Sequence, residues 1–389
     1  MMSKYDVIVI GGGVIGCSVA YYLSKRSQRV LLIEKKDHAQ GSAGATDGVV
    51  SYHTKKPGKQ MELAVQSMKL FKTLSDDLQE DIEYEESCGG FQAAEDKEQW
   101  DMLCSIAEKQ RESGVDVRML KIDEAREIEP MLAPDLYGIL YASSGAKVEP
   151  IRLTMAFSHG AKRLGTTVLT HTAVTGITKS SAGAVIGVTV EDGTHYESDK
   201  VVIACGSWSA EVGKMADIDL PIKPRKGQLI ITEPIGHFMK CTMQCALYNV
   251  IKYMPEKITD PQILKLGASL SVHQTHDGGL LIGGTREWAD FDRTNTFEAI
   301  EAIMRRAVRF FPAIKDVSII RTFAGLRPYS PDGLALIGQT KKVPGLYIAA
   351  GHEGDGIALA PITGKLISEE IVDGRASYPI DTFSPDRFC

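Results

Sequence analysis

The 389-residue sequence lacks several features that would place it in a simple class. It has no uninterrupted apolar stretch of about 18 residues, which a membrane-spanning helix needs. It has no dense run of lysine and arginine, and its net charge is −6, so we predict no nucleic-acid partner. No Cys-x-x-Cys pair occurs among its seven cysteines, and their odd number favours reduced thiols and predicts no metal site.

The N-terminal segment also lacks the pattern of a secretory signal. Its first apolar run is shorter than the ~7–15 residues of a signal-peptide core. We therefore predict a cytoplasmic protein without a transmembrane segment. The composition, 43% hydrophobic and 24% charged, is that of an ordinary globular chain, and the length predicts two or three domains.

Glycine is abundant, with 37 residues, and its first cluster follows a strand predicted at Tyr5–Ile10. The glycines that fit the pattern G-x-G-x-x-G are Gly11, Gly13 and Gly16. A helix is predicted over Cys17–Lys25 and a second strand over Val30–Glu34, which ends on an acid. This order of strand, glycine turn, helix, strand and acid predicts a dinucleotide-binding fold.

The residue type at each position of this motif has a physical explanation. Gly11 permits the tight turn, Gly13 lets the backbone approach a pyrophosphate, and Gly16 lets helix and strand pack closely. The helix N-terminus offers free N–H groups and a positive partial charge to phosphates. Glu34 can accept hydrogen bonds from ribose hydroxyls and disfavours a 2′-phosphate. The motif fits FAD or NAD.

The small, polar stretch 41–48 is either a loop around a larger cofactor or a plain surface loop.

The C-terminal part repeats the plan of strand, glycine-rich turn and helix. A strand at Leu346–Ala350 precedes the loop Gly351–Ile357 and a helix at Ala358–Ile371. The start of such a helix can stabilise negative charge on a ligand. Arg327, directly before Pro328, is suited to bidentate binding of a substrate carboxylate or is a surface or structural arginine in a proline-rich turn. His352 is either an acid–base or flavin-contacting group or a structural histidine.

Between these ends, helices and short strands alternate. Helices are predicted at Met61–Leu78, Trp100–Glu112, Ile122–Glu129, Pro150–Leu164 and Phe297–Phe311. Short strands at Val168–His171, Val174–Thr178, Val185–Thr189 and His195–Ser198 predict a meander, and further strands are predicted at Leu229–Thr232, Ser269–Gln274, Leu280–Gly284 and Val317–Ala324. Residues 236–268 are predicted to be irregular. A dinucleotide-binding half with a late meander is typical of flavoproteins rather than of NAD dehydrogenases.

Seven motifs, in order, resemble the D-amino-acid oxidase-like FAD family, which includes glycine oxidase, sarcosine oxidases and proline dehydrogenase subunits. They are VIVIGGGVIG, LLIEKK, GSAGATDGVV, VVIACGSWS, PRKGQL, AGLRPYSPDGLALIG and AAGHEGDGIALAPITG. The resemblance covers nearly the whole chain. It implies a mixed α/β (α+β) fold in which a Rossmann-type FAD-binding domain (1–85, 146–218 and 328–389) is interleaved with an antiparallel-sheet substrate domain (86–145 and 219–327).

The resemblance also implies an activity. Family members oxidise the C–N bond of a small amino acid or N-alkyl amino acid by hydride transfer to flavin N5, and the imine hydrolyses. The stretch Tyr329–Gly338 lacks the cysteine that monomeric sarcosine oxidases bond to flavin, so we expect non-covalent FAD. The electron acceptor is oxygen or a partner subunit, and a homo- or hetero-oligomer is possible. A flavin hydroxylase, an NAD-linked dehydrogenase and a non-catalytic FAD-binding subunit are the other hypotheses.

The resemblance assigns the site residues as follows. Catalytic positions fall on Arg327, His352 and Ser271. The FAD-binding positions fall on Gly11, Gly13, Val14, Ile15, Gly16, Glu34, Lys35, Ser42, Ala43, Thr46, Gly48, Val49, Val174, Cys205, Gly206, Trp208, Arg327, Gly351, His352, Glu353, Gly354, Asp355, Gly356 and Ile357.

Three departures from relatives bear on the substrate. Ser271 stands where glycine oxidases carry an active-site tyrosine, and Gly354 stands where they carry a second arginine. The run Lys147–Pro150 lacks the histidine that holds a second flavin in heterotetrameric sarcosine oxidase. The segment His273–Glu287 and the loop GHEGDGIALAP look most like β-type subunits of amino-acid or hydrogen-cyanide-producing dehydrogenases, which pass electrons to partner subunits.

Overall fold

The computed structural model describes residues 4–52, 54, 55, 57–87 and 89–388. The strands are β1 Val7–Ile10, β2 Val30–Ile33, β3 Val49–Val50, β4 Glu85–Ser87, β5 Gly90–Ala94, β6 Val117–Leu120, β7 Gly138–Ala142, β8 Gly145–Lys147, β9 Thr167–Leu169, β10 Val174–Lys179, β11 Val185–Val190, β12 His195–Glu197, β13 Val201–Ile203, β14 Lys223–Thr232, β15 Thr242–Cys245, β16 Ser271–Gln274, β17 Leu280–Gly283, β18 Ile319–Tyr329, β19 Leu336–Gln339 and β20 Leu346–Ala350. The α-helices are α1 Val14–Lys25, α2 Lys59–Leu78, α3 Lys97–Glu112, α4 Ile122–Ile128, α5 Pro150–Arg163, α6 Ser209–Lys214, α7 Ala246–Tyr253, α8 Pro261–Leu266, α9 Phe297–Phe310 and α10 Gly356–Asp373.

The first large sheet has six strands in the order β19-β20-β13-β1-β2-β9. All neighbours are parallel except the edge pair β19–β20. Both faces are covered, which is why the four residues of β1 are apolar and buried. Val7 and Val9 pack toward the helices α1, α5 and α10, whereas Ile8 and Ile10 pack toward the antiparallel meander β10-β11-β12.

The second large sheet has eight strands in the order β18-β14-β17-β16-β15-β5-β7-β6. It is antiparallel except for the pair β15–β5. Helix α9 covers it with Ile303, Ala307 and Phe310, all buried. The architecture is therefore the predicted mixed α/β fold with a Rossmann-type sheet and an antiparallel sheet.

Several local predictions were wrong. The segment predicted as the first meander strand forms β9 at the edge of the parallel sheet. Residues 236–268 were predicted to be irregular but contain β15, α7 and α8. Arg327 does not lie in a turn: it sits inside the 11-residue strand β18, two residues before its end at Tyr329. The predicted domain limits stay a prediction, and the one at 327/328 falls within this strand.

Two further findings concern cysteine and hydropathy. Cys17, Cys104, Cys205 and Cys245 are free, as expected, but Cys241 is disulfide-bonded, so the expectation of reduced thiols throughout was wrong. Within the described ranges, none of the helices combines the length and the apolar character needed to cross a bilayer. The predicted cytoplasmic location stays a prediction.

Candidate active site

One cleft of about 420 Å³ lies where the two large sheets meet, and both glycine-rich loops line it. All three predicted catalytic residues, Ser271, Arg327 and His352, are in its wall. The predicted FAD-binding residues in the wall are Gly11, Gly13, Val14, Ile15, Glu34, Lys35, Ser42, Ala43, Thr46, Val174, Cys205, Gly206, Trp208, Arg327, His352, Glu353, Gly354, Gly356 and Ile357. The fold thus brings residues from both ends of the chain to one surface.

Five predicted FAD-binding residues do not line this cleft: Gly16, Gly48, Val49, Gly351 and Asp355. A Cβ atom on Gly16 would overlap the carbonyl oxygen of Gly11, and one on Gly48 would overlap that of Val148. Val49 pairs with Lys147 in the small sheet behind the cleft. These positions shape the wall from behind, and their contact with a cofactor stays a prediction.

The start of α1 is built to face an anion. Its N-cap is Gly13, which has no side chain to occupy the free amides, and a Cβ built there would meet nothing within 4 Å. The preceding turn needs Gly11, whose φ of +110° is unfavourable for other residues. The open N–H groups and the helix dipole make this a site for a phosphate group.

Glu34 directly follows β2 at the same wall, and the backbone fixes its carboxylate. Its Oε2 accepts a hydrogen bond from the amide of Gly12 at 2.6 Å, and its Oε1 accepts one from the amide of Lys36 at 2.8 Å. Each carboxylate oxygen has a second lone pair. Glu34 can therefore accept ribose hydroxyls without losing the bonds that orient it.

The second loop, Gly351–Ile357, leads into α10 and is fastened by buried polar groups. The Nε2 atom of His352 lies 3.0 Å from Oγ1 of Thr363, and burial lowers the pKa of His352 to about 4. Asp355 forms ion pairs with Lys55 at 2.7 Å and Lys252 at 3.0 Å. His352 is thus a neutral imidazole at neutral pH, and the Asp355 carboxylate anchors the loop.

Arg327 projects from β18 across the strand beside it. Its NH1 donates to the carbonyl of Thr285 at 2.8 Å, and a Cβ on Gly227 of β14 would overlap its guanidinium. The hydroxyls of Ser42 and Ser207 both donate to the carbonyl of the preceding residue, Leu326. Burial, followed by the charge of Arg286, lowers the pKa of Arg327. A fixed, crowded cation of this kind favours an anionic ligand.

Ser271, on β16, is tied to the glycine-rich stretch 41–48. Its hydroxyl donates to Oδ2 of Asp47 at 2.9 Å, and both residues line the cleft. Because the proton of Ser271 is engaged by Asp47, its oxygen is left as an acceptor toward the cleft.

Two prominent side chains of the wall were missed by sequence reasoning. Tyr248 lies on α7, in the segment predicted to be irregular, and the guanidinium of Arg286 lies 4.4 Å from its ring centroid. Glu353 lies 3.7 Å from Arg286. The only sequence signal for Arg286 was the run GGTRE. Tyr248 had no such signal, because α7 is eight residues long and its helical periodicity is too short to recognise.

Two relatives are similar to this chain over its full length. Glycine oxidase of Bacillus licheniformis is 31% identical over 398 aligned positions, which cover 100% of this chain and 98% of that protein. Hydrogen cyanide synthase subunit HcnC of Pseudomonas aeruginosa is 29% identical, with 100% and 97% covered.

Solved structures of similar proteins cover the whole fold. L-Proline dehydrogenase from P. horikoshii superposes with a TM-score of 0.88 at 27% identity, covering 100% of this chain and 98% of that one. Glycine oxidase from Geobacillus kaustophilus gives 0.87 at 27% identity, with 99% of each chain covered. The family described as DAO, FAD dependent oxidoreductase, matches residues 6–370. This chain therefore belongs to the DAO family of FAD-dependent oxidoreductases.

Proposed function

We propose that the protein oxidises the C–N bond of a small amino acid or N-alkyl amino acid with FAD as hydride acceptor. The observation that carries this proposal is the position of Arg327, a half-buried cation in the wall of a cleft that two glycine-rich helix starts also line. The relatives that are glycine oxidases and the structure that is an L-proline dehydrogenase support an amino-acid substrate.

The cleft fits FAD on its own geometry. The open N-terminus of α1 at Gly13 would hold the pyrophosphate, and Glu34 would hold the ribose. The loop Gly351–Ile357 and the start of α10 would lie against the flavin ring and stabilise negative charge there. When bound, FAD supplies a two-electron acceptor for the hydrogen on the substrate α-carbon.

The protein's own residues then bind and orient the substrate. Arg327 binds the carboxylate with its free N–H groups while the Thr285 carbonyl holds NH1. The oxygen of Ser271 accepts a hydrogen bond from the amine, because its proton is engaged by Asp47. These two contacts restrict the orientation of the α-carbon, which is the contribution of positioning to the rate. His352 is neutral and bonded to Thr363, so it supports the loop rather than acting as a base.

A second candidate is the same oxidation in a catalytic subunit that passes electrons to a partner. The full-length similarity to hydrogen cyanide synthase subunit HcnC favours it. In that case the reduced flavin reoxidises slowly in air and rapidly with an artificial electron acceptor.

An anaerobic spectrophotometric screen tests the proposal. The purified protein should be yellow and should bleach with at least one of glycine, sarcosine, proline, hydroxyproline and D-alanine. A protein that takes up no FAD contradicts the proposal. Bleaching by NADH, with no response to any amino acid, would favour a flavin hydroxylase instead.

A further inference from the structure

Side chains hold the first glycine-rich turn from behind the cleft. Gly13 lines the cleft, whereas Gly12 and His38 do not. The amide of Gly12 donates to Oε2 of Glu34 at 2.6 Å, and the carbonyl oxygen of Gly12 lies 3.1 Å from Nδ1 of His38. A Cβ built on Gly12 would overlap this Nδ1 atom and the side chain of Glu34. The backbone of Gly12 is therefore held between these two side chains.

The partners of His38 define its tautomer. A carbonyl oxygen only accepts hydrogen bonds, so the proton is assigned to Nδ1, which donates to Gly12. Nε2 is then the acceptor, and the hydroxyl of Ser158 on α5 donates to it at 2.9 Å. Burial lowers the pKa of His38, which favours this neutral form. His38 therefore joins α5 to Gly12 with one orientation of its ring.

Two weaker donors also reach the carbonyl oxygen of Gly12. They are Sγ of Cys17 at 3.5 Å and the amide of Ala39 at 3.4 Å. A thiol is a weak donor, and 3.4 Å is longer than the usual N–H···O bond. The imidazole of His38 is therefore the main donor that sets the direction of this carbonyl.

The direction of the Gly12 carbonyl decides where the next amide points. The peptide between Gly12 and Gly13 is trans and planar, so its C=O and its N–H point in opposite directions. Because His38 holds the C=O behind the wall, the N–H of Gly13 is directed toward the cleft. Among the described residues, no group accepts a hydrogen bond from this N–H.

We infer that His38 is a positioning residue for FAD, which aims the N–H of Gly13 at the pyrophosphate by holding the carbonyl of Gly12. A pyrophosphate is bound by backbone N–H groups at a helix start, and their direction decides how well they fit its oxygens. The inference concerns the cofactor and holds for any substrate of the enzyme.

Amide side chains test this role because each can replace one ring nitrogen. In His38→Asn the amide nitrogen takes the place of Nδ1 and still donates to Gly12, whereas in His38→Gln it takes the place of Nε2 and reaches Ser158 instead. Fluorescence titration of the apoprotein with FAD should give a Kd about tenfold higher for His38→Gln than for the wild type. The Kd of His38→Asn should stay within about threefold of the wild-type value.

Phosphorus NMR of the FAD-loaded protein adds a readout at the pyrophosphate itself. The pyrophosphate resonances should shift in His38→Gln, because the N–H of Gly13 changes direction, and should keep their wild-type positions in His38→Asn. The matched control is His159→Gln, which removes the histidine next to Ser158 on α5, 3.0 Å from Glu80. This control should leave both the Kd and the phosphorus spectrum unchanged.

The outcomes separate the Nδ1 donor from the bulk of the ring. An unchanged Kd or an unchanged phosphorus spectrum in His38→Gln overturns the inference. Equal impairment of the Asn and Gln variants also overturns it, because the ring would then act through its volume. If His38→Gln does not fold, His38→Asn decides alone: wild-type FAD binding supports the inference, and a tenfold loss overturns it. Either result leaves the proposed amino-acid oxidation standing, because the screen for flavin bleaching uses the wild-type protein.

Discussion

The two glycine-rich loops of the cleft share the plan of strand, turn and helix, but different forces hold them. The N-terminal loop depends on close backbone packing: Gly16 of α1 lies against the carbonyl of Gly11, and Nδ1 of the half-buried His38 lies 3.1 Å from the carbonyl oxygen of Gly12. The C-terminal loop depends on buried charge, with Asp355 between two lysines and Glu353 near Arg286. The N-terminal loop is shaped by glycines, which have no side chains, and the C-terminal loop is shaped by charged side chains.

The difference matches the ligand groups that each loop would face. Phosphates are bound by backbone N–H groups, which need bare glycine and a free helix start. An amino-acid substrate is held by side chains, which need a charged scaffold to fix them. Glu353 shows the cost of that scaffold, because it is a non-glycine residue with a φ of +50°.

Removing the charge at the centre of the C-terminal loop should have the largest effect. Asp355→Asn keeps the shape but removes the negative charge that pairs with the buried Lys55 and Lys252. We expect a loss of about 3–5 kcal/mol in the free energy of unfolding, measured by urea denaturation. Asp373→Asn, which breaks an exposed pair with Arg26, should cost less than about 1 kcal/mol. Equal losses in the two variants would show that the buried network does not fasten the loop.

Removing the substrate anchor on β18 should separate substrate binding from FAD binding at the N-terminal loop. Arg327→Ala should raise the KM for the amino acid by the equivalent of about 2–4 kcal/mol of binding free energy, because the carboxylate loses its charged partner. Gly13→Ala, at the phosphate end, should instead weaken FAD binding and leave the substrate KM of the FAD-loaded enzyme much closer to wild type. Steady-state kinetics and fluorescence titration of FAD measure the two effects. An unchanged KM in Arg327→Ala would reject it as the anchor.

Acid should weaken the C-terminal loop through His352. Its folded pKa is about 4, below the ordinary 6.5, because burial disfavours the charged form. Because the pKa of His352 is lower in the folded state than in the unfolded state, its full contribution to stability is present above pH 6.5. This contribution is lost as the pH falls toward 4. The loss should reach about 3 kcal/mol in the free energy of unfolding across this window.

Urea denaturation at several pH values checks this contribution. The variant His352→Gln should show a shallower fall in stability between pH 6.5 and 4 than the wild type. His276→Gln, at an exposed position, is the control and should follow the wild-type profile. A wild-type slope in His352→Gln would place the acid sensitivity elsewhere, for example at the buried His273, whose pKa is also lowered to about 4.

The same contrast explains what the sequence could predict. The N-terminal loop is a local pattern: Gly11, Gly13 and Gly16 lie within six residues, and Glu34 follows at the end of the next strand, so spacing alone indicates a dinucleotide site. The charge cluster is not local. Lys55, Lys252 and Glu353 come from distant parts of the chain, and only the pairing of sheets and helices brings them together.

Strand ends and short helices were the other features that could not be predicted from the sequence. One of the two interpretations placed Arg327 in a proline-rich turn, yet Pro328 lies within β18, which runs along the edge of its sheet. The helix α7, which supplies Tyr248, is too short for its periodicity to stand out from the surrounding loop. Tertiary pairing decided both cases, and no spacing rule contains that information.

The smallest expected effect tests the packing that holds the N-terminal loop. Gly16→Ala would push a methyl group into the carbonyl of Gly11, so α1 must move away from the turn. We expect the apoprotein to lose about 1–3 kcal/mol in the free energy of unfolding by urea denaturation. Gly13→Ala is the matched control in the same turn, because its Cβ would meet nothing within 4 Å, and the apoprotein should keep most of its stability. If both variants lost the same stability, the N-terminal loop would need glycine only for its backbone conformation. Close packing would then not be the force that holds this loop, and the contrast with the charge-held C-terminal loop would fail.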